Sequence, residues 1–180
     1  QEALYAGLSE PLREEYHAAI AEAIERAGAG PPDGASAVAL ADHFLRGARG
    51  DRAMAYLGAA LDHLSAAALN DAAAGLAARA LGVPGLVAGA DRVRLLMRQA
   101  NWLDLIGRGS AEFAIYAEAA ALADASADRA LRVSVRTAHA RALVNSGRPG
   151  EAARMLEAAL PIVRDANTPE AEIDFCTVLG

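Results

Sequence analysis

Apolar residues recur at three- and four-residue intervals along most of the chain, and no stretch alternates with a period of two. Leu12, Tyr16, Ile20, Ala23 and Ile24 mark one such stripe, expected to face the core from a helix over 9–27. Ser9 is placed to cap that helix, Pro11 falls in its first turn, and Glu14 and Glu15 suit the positive end of its dipole. Further helices are expected over 36–46 (Val38, Leu40, Ala41, Phe44, Leu45) and 51–68 (Met54, Leu57, Leu61, Leu64). A fourth covers 71–81, capped by Asn70, and four more cover 91–106, 110–123, 128–144 and 149–164. Pro161 should kink the last one or end it near Leu160, and Thr168-Pro169-Glu170 should cap a ninth. Gly, Pro and Asp at 28–34 and the run Gly82-Val83-Pro84-Gly85 are breaks.

The stretch 140–160 carries more than periodicity. Asn145-Ser146-Gly147 stops one helix, with Gly147 free to adopt the left-handed conformation of a C-terminal cap, and Pro149 opens the next. Ala140, Ala152 and Ala159 mark a contact line along which two antiparallel helices can approach closely. Ala41, Ala53 and Ala60 repeat the same two intervals around the turn at 46–53, and Ala100 and Gly107 stand 40 residues before Ala140 and Gly147. In that looser copy, Glu112-Phe113 takes the place of Glu151-Ala152, with one extra residue in the turn. This pattern resembles a tetratricopeptide repeat, a helix-turn-helix unit of about 34 residues. The resemblance implies an all-α fold of antiparallel helical hairpins, a TPR-like α-solenoid.

The helix from Asp51 is ambiguous. It can close the hairpin begun at Ser36, or open one finished by 71–81, where Ala73 and Ala80 repeat the spacing. The expected organisation is therefore an irregular helical lead-in over 1–89 and TPR-like repeats over 90–180, cut short at the C-terminal end. The start at Gln1 and the end on Gly180 suggest a fragment of a longer multidomain protein.

Composition narrows the function classes. Apolar residues make up 54% of the chain but aromatic ones only 4%, so the core must be assembled from Ala, Leu, Val and Ile. Each small side chain buries little area, at roughly 25 cal/mol per Å². All 17 basic residues are Arg, and the net charge of −6 argues against a nucleic-acid surface. No run approaches the roughly 20 apolar residues of a membrane span, and no signal peptide is evident, so a cytoplasmic location is expected. The single Cys, Cys176, excludes an internal disulfide and is read as a small buried hydrophobe.

The N-terminal segment adds a second resemblance. Ala3-Leu4-Tyr5, Leu8, Arg13 and His17, then Ala41-Asp42-His43-Phe44-Leu45, Gly50-Asp51 and Ala53, resemble the helical region of large bacterial signalling ATPases. These include LuxR-type transcription activators of the maltose-regulator kind and relatives fused to cyclase or Ser/Thr kinase domains. The resemblance implies an ATPase N-terminal to this region, and a helical arm that receives an inducer or partner and restrains the switch. It covers most of the chain, but 85–91 does not align with a standard repeat.

No catalytic constellation emerges. There is no phosphate-binding Gly-rich loop with Lys, no Gly-x-Ser-x-Gly and no His-Glu-x-x-His. Asp42-His43 and Asp62-His63 repeat a dipeptide but supply too few converging ligands for a metal, so no cofactor is expected. Repeat arrays bind along the concave face of their first helices. Counted back from the turn glycines, that face comprises Arg94, Met97, Asn101 and Asp104, then Ser134, Thr137, Arg141 and Val144. Arg94 and Arg141 could fork onto a carboxylate and Asn101 could hold a peptide backbone, although the same residues also suit a plain solvated face. Trp102, beside Leu95, Leu105 and Ile106, is expected in the core. The reading is a non-catalytic repeat domain that binds a protein, a peptide or a small-molecule inducer next to an ATPase domain. The alternatives are a homo-oligomerisation scaffold and a metal-dependent hydrolase built on the Asp-His pairs.

Overall fold

A computed structural model describes residues 8–28, 33–107 and 109–166. Among the described residues eight helices follow one another, and there is no strand. They are α1 (Glu10–Ala27), α2 (Gly34–Arg46), α3 (Gly50–Ala66), α4 (Asn70–Gly82), α5 (Gly89–Leu105), α6 (Gly109–Asp124), α7 (Arg129–Asn145) and α8 (Pro149–Ala166). The protein is all-α. It divides into two compact units, Gln1–Leu86 and Val87–Gly180.

In the first unit α2 and α3 form the tightest pair, with α1 laid on α2 and α4 resting on α3 and, more lightly, on α2. The ambiguity over α3 thus resolves in favour of its hairpin with α2. Asp33 starts α2 by accepting the Ser36 N–H on Oδ1 at 2.7 Å. Ala41, Ala53 and Ala60 are fully buried, as are Ala73 and Ala80 in α4. The core around them is Phe44, Leu57, Leu61 and Leu64, while Met54 is exposed.

The second unit repeats the pattern. α5 pairs with α6 and α7 with α8, and α7 also touches α6 and, lightly, α5. The α7–α8 core consists of Val133, Ala140, Leu143, Ala152, Leu156 and Ala159, so the alanines of the sequence pattern do form the contact line. Asp128 caps α7 by accepting the Leu131 N–H at 3.0 Å.

One turn recurs. After α2, α3 and α7, the N–H of Arg49, Leu69 and Arg148 returns to the carbonyl of Phe44, Leu64 and Leu143, at 2.9, 2.9 and 2.8 Å. The residue before each donor is left-handed: Ala48 (φ 52°), Ala68 (φ 55°) and Gly147 (φ 75°). Gly147 behaves as expected. In the first turn the left-handed position falls on Ala48, although glycines stand at 47 and 50. Gly47 is needed for another reason: a Cβ there would lie 2.6 Å from the Ala18 backbone nitrogen, so only glycine lets α1 come this close.

Several expectations fail. The stripe of α1 that should face the core is outside: Leu12, Tyr16 and Ile20 are 40%, 54% and 41% exposed, Ala23 is exposed and Ile24 half-buried. α1 instead docks through Ala18 and Ala21, both buried. Its polar side chains hold it there. Arg52 of α3 pairs with Glu22 at 2.9 Å and with Glu25, and the Tyr56 hydroxyl donates to Glu25. Ser9 occupies the N-cap position of α1 without a side-chain cap bond, and Asn70 lies inside α4 rather than before it. Of the two outcomes expected at Pro161, an end to α8 near Leu160 does not occur, and the helix runs on to Ala166. Proline removes the bond to the carbonyl four residues back, and that residue, Glu157, is exposed, so water can replace the lost partner. The ninth helix, Cys176 and Ala3-Leu4-Tyr5 lie outside the described residues.

Candidate binding site

The helix packing puts three helices of the second unit, α6, α7 and α8, around one cavity of about 350 Å³. Phe113 enters it from α6, His139 and Leu143 from α7, and Arg154, Met155 and Glu151 from α8, with Arg148 supplied by the turn between them. Antiparallel pairing brings this about: the C-terminal turns of α7 lie beside the N-terminal turns of α8. Leu143 is buried, Phe113, His139 and Met155 are half-buried, and Arg148, Glu151 and Arg154 are exposed at the rim.

Two contacts fix Arg148. Its Nε and Nη2 donate to the two carboxylate oxygens of Glu151 at 2.8 and 2.7 Å, and its guanidinium lies over the Phe113 ring, 4.9 Å from the centroid. The ion pair holds the Glu151 carboxyl below the usual carboxylate range. His139 stacks on Tyr116 with centroids 5.1 Å apart and leans on Phe113 at 6.0 Å. Burial, and then the charge of Arg148, push the His139 imidazole down, so it is neutral at neutral pH.

Behind this wall lies a buried polar group. Glu112, one turn before Tyr116, has no exposed surface, and neither of its carboxylate oxygens has a hydrogen-bond partner. Burial, then the nearby charge of Asp104, raises its carboxyl. Tyr116 packs with Ala100 and Ala142, and burial reinforced by Glu112 and Asp104 pushes its phenol up to about 12, with Arg141 opposing. Asp104 and Arg141 of the expected face are therefore within electrostatic reach of Tyr116.

The eight residues of that face do not line the cavity. Arg141 and His139 are two residues apart, about 200° around the helix, so the cavity opens on the other flank of α7. Asn101, Ser134, Arg141 and Val144 are exposed, and Met97 and Asp104 half-buried. Arg94 is exposed and pairs with Asp91 at 2.8 Å, one turn earlier on its own helix. Thr137 departs from the expectation outright. Its hydroxyl donates to the Val133 carbonyl at 3.0 Å, and the side chain is buried, so it presents almost no surface to a ligand. Trp102 is buried as expected, with Arg98 over its ring at 5.0 Å, but its neighbour Leu105 is 62% exposed.

Counting back along the first helices from the turn glycines misses Phe113, Arg148 and Met155, which lie outside those helices, and His139, which lies on α7 but on its other flank. The signal is the match of Glu112-Phe113 to Glu151-Ala152, which puts a large ring where the next hairpin has a methyl group. The Asp-His dipeptides also take on definite places. His43 meets His17 with their Nδ1 atoms 2.8 Å apart, and His63 is exposed. No group of three or more potential metal ligands occurs among the described residues. None of their helices is long and apolar enough to cross a membrane. No protein-family model, curated protein or solved structure matches the chain.

Proposed function

We propose that this chain is a TPR-like helical-repeat arm of a bacterial ATPase-type signalling or transcription regulator, of the LuxR-type kind, and that it acts by binding rather than catalysis. The observation that carries the reading is the recurrence of one building block. The α2–α3 and α7–α8 hairpins share buried alanines at the same intervals, and both first helices end in the same left-handed turn. α7 leans on both helices of the preceding hairpin, as a stacked repeat would. In this reading Arg94, Asn101 and Arg141 present donors to an acidic partner peptide. A partner that prefers one arrangement of the arm shifts the neighbouring switch by its differential affinity.

The test is an array of acidic peptides, with the best binder then measured by fluorescence anisotropy at low salt. Arg94→Ala combined with Arg141→Ala should weaken that binding about tenfold or more and leave the melting temperature unchanged. An array with no binder, or a double variant that binds like the parent, would overturn the assignment of this face.

A further inference from the structure

The cavity between α6, α7 and α8 lies off the Arg94/Arg141 face, and its chemistry is self-contained. Its inner surface is apolar and polarisable, made by the Phe113 ring, Leu143 and the Met155 thioether. His139 adds a flat wall, and Tyr116 stacks on that ring to keep it from turning. The rim is charged unequally, with Arg148 and Arg154 against Glu151 alone. The two bonds to Glu151 occupy two of the five N–H donors of Arg148, while the Phe113 face and Glu151 together hold the guanidinium in place. A cation with donors to spare is thus pre-positioned at the mouth of an apolar pocket.

We propose that this cavity binds a small amphipathic monocarboxylate, a free aryl or short acyl acid, with its apolar body against Phe113, Leu143 and Met155 and its carboxylate on Arg148 and Arg154. The volume of about 350 Å³ falls in the range of small-molecule sites, roughly 300–1,000 Å³. One net positive charge at the rim calls for one negative charge on the ligand. A neutral ligand leaves that charge unanswered, a dianion meets Glu151, and a cation is repelled by both arginines. The neutral imidazole of His139 accepts an aromatic face without adding a charge to be balanced.

The probe is 3-phenylpropanoate, titrated into the whole chain, with its alcohol, 3-phenylpropanol, as the uncharged control. The readout is the His139 ring proton resonance, assigned by its loss in His139→Gln. The acid should give a saturable shift with a Kd below about 1 mM, and the alcohol should bind about tenfold or more weakly. Arg154→Gln should cut acid affinity about tenfold and leave alcohol affinity unchanged. If Arg154→Gln does not fold, salt replaces it: near 1 M, where screening acts within about 3 Å, the preference for acid over alcohol should collapse in the parent protein. Arg94→Ala with Arg141→Ala should leave the titration as it was, which separates failure here from failure of the peptide-binding face. Three results would each overturn the proposal: no saturable His139 shift up to about 10 mM acid, equal binding of acid and alcohol, or a preference that persists through both Arg154→Gln and high salt. Tighter binding of a peptide ending in Phe than of the free acid would also overturn it and reassign the cavity to chain ends.

Discussion

Glu112 carries a cost that its neighbours do not relieve. A buried carboxyl with neither oxygen paired gives up its hydration and gains nothing in return. Replacing it by an apolar side chain of similar length removes that cost, so Glu112→Met should stabilise the protein at neutral pH by about 1–3 kcal/mol. The pH dependence has a definite sign. Because the folded-state pKa is raised above the ordinary 4.5, the wild-type penalty develops as pH climbs through 4.5 towards the raised value and is full above it. The gain from Glu112→Met should therefore be larger near pH 7.5 than near pH 4, as chemical denaturation at the two pH values would show. Equal gains would mean that charge burial is not the cause. Ala48 presents the opposite case, strain in the backbone rather than in solvation. An L-residue in the left-handed region pays about 1–2 kcal/mol that glycine does not. Ala48→Gly should then raise stability by about 0.5–1 kcal/mol after the added flexibility of the unfolded chain is counted. A lower melting temperature for Ala48→Gly would show that the alanine methyl is making a contact worth more than the strain.

Among the elements, α1 shows why periodicity identifies a helix more readily than it orients one. Its 3.6-residue spacing was legible, but the wider apolar stripe of Leu12, Tyr16 and Ile20 points outward. What lies across from α1 decides this. Gly47, having no Cβ, lets the Ala18 backbone come close, and Glu22 and Glu25 have Arg52 and Tyr56 waiting. A single-helix pattern contains no information about the surface opposite. The same docking makes α1 sensitive to acid. His17 and His43 face each other Nδ1 to Nδ1 at 2.8 Å, so one must donate and the other accept. Burial first, then His43 and Arg46, lower the His17 imidazole, with Arg79 of α4 acting in the same direction and Asp42 against it. A lowered histidine stabilises the fold fully above its ordinary value of 6.5 and loses that contribution as pH falls below it towards the folded-state value. Melting temperature should therefore drop between about pH 7.5 and pH 5.5, and His17→Gln should flatten part of that drop. His139, which is lowered as well, contributes in the same direction. An identical slope in His17→Gln would remove the pair from any part in acid sensitivity.

At the scale of the molecule, helix content and contact lines could be read from the chain because both are set locally. The 3.6-residue period marks each helix. Alanines at fixed intervals around a turn have few roles other than close packing, and those at 41, 53, 60, 140, 152 and 159 are buried. The cavity could not be read in the same way. It draws Phe113 from one hairpin and His139, Arg148 and Met155 from the next, and their convergence depends on how two hairpins lie against each other. Counting along single helices led instead to Thr137, which spends its hydroxyl on its own backbone. The division of the chain into Gln1–Leu86 and Val87–Gly180 has a practical side. Its one indole, Trp102, is buried in the second of these units beneath Arg98. Emission excited through that ring is a local gauge of the half that holds the cavity, whereas far-ultraviolet dichroism sums the helices of both. Followed together during unfolding, the two signals would tell whether the two units unfold in one step or in turn.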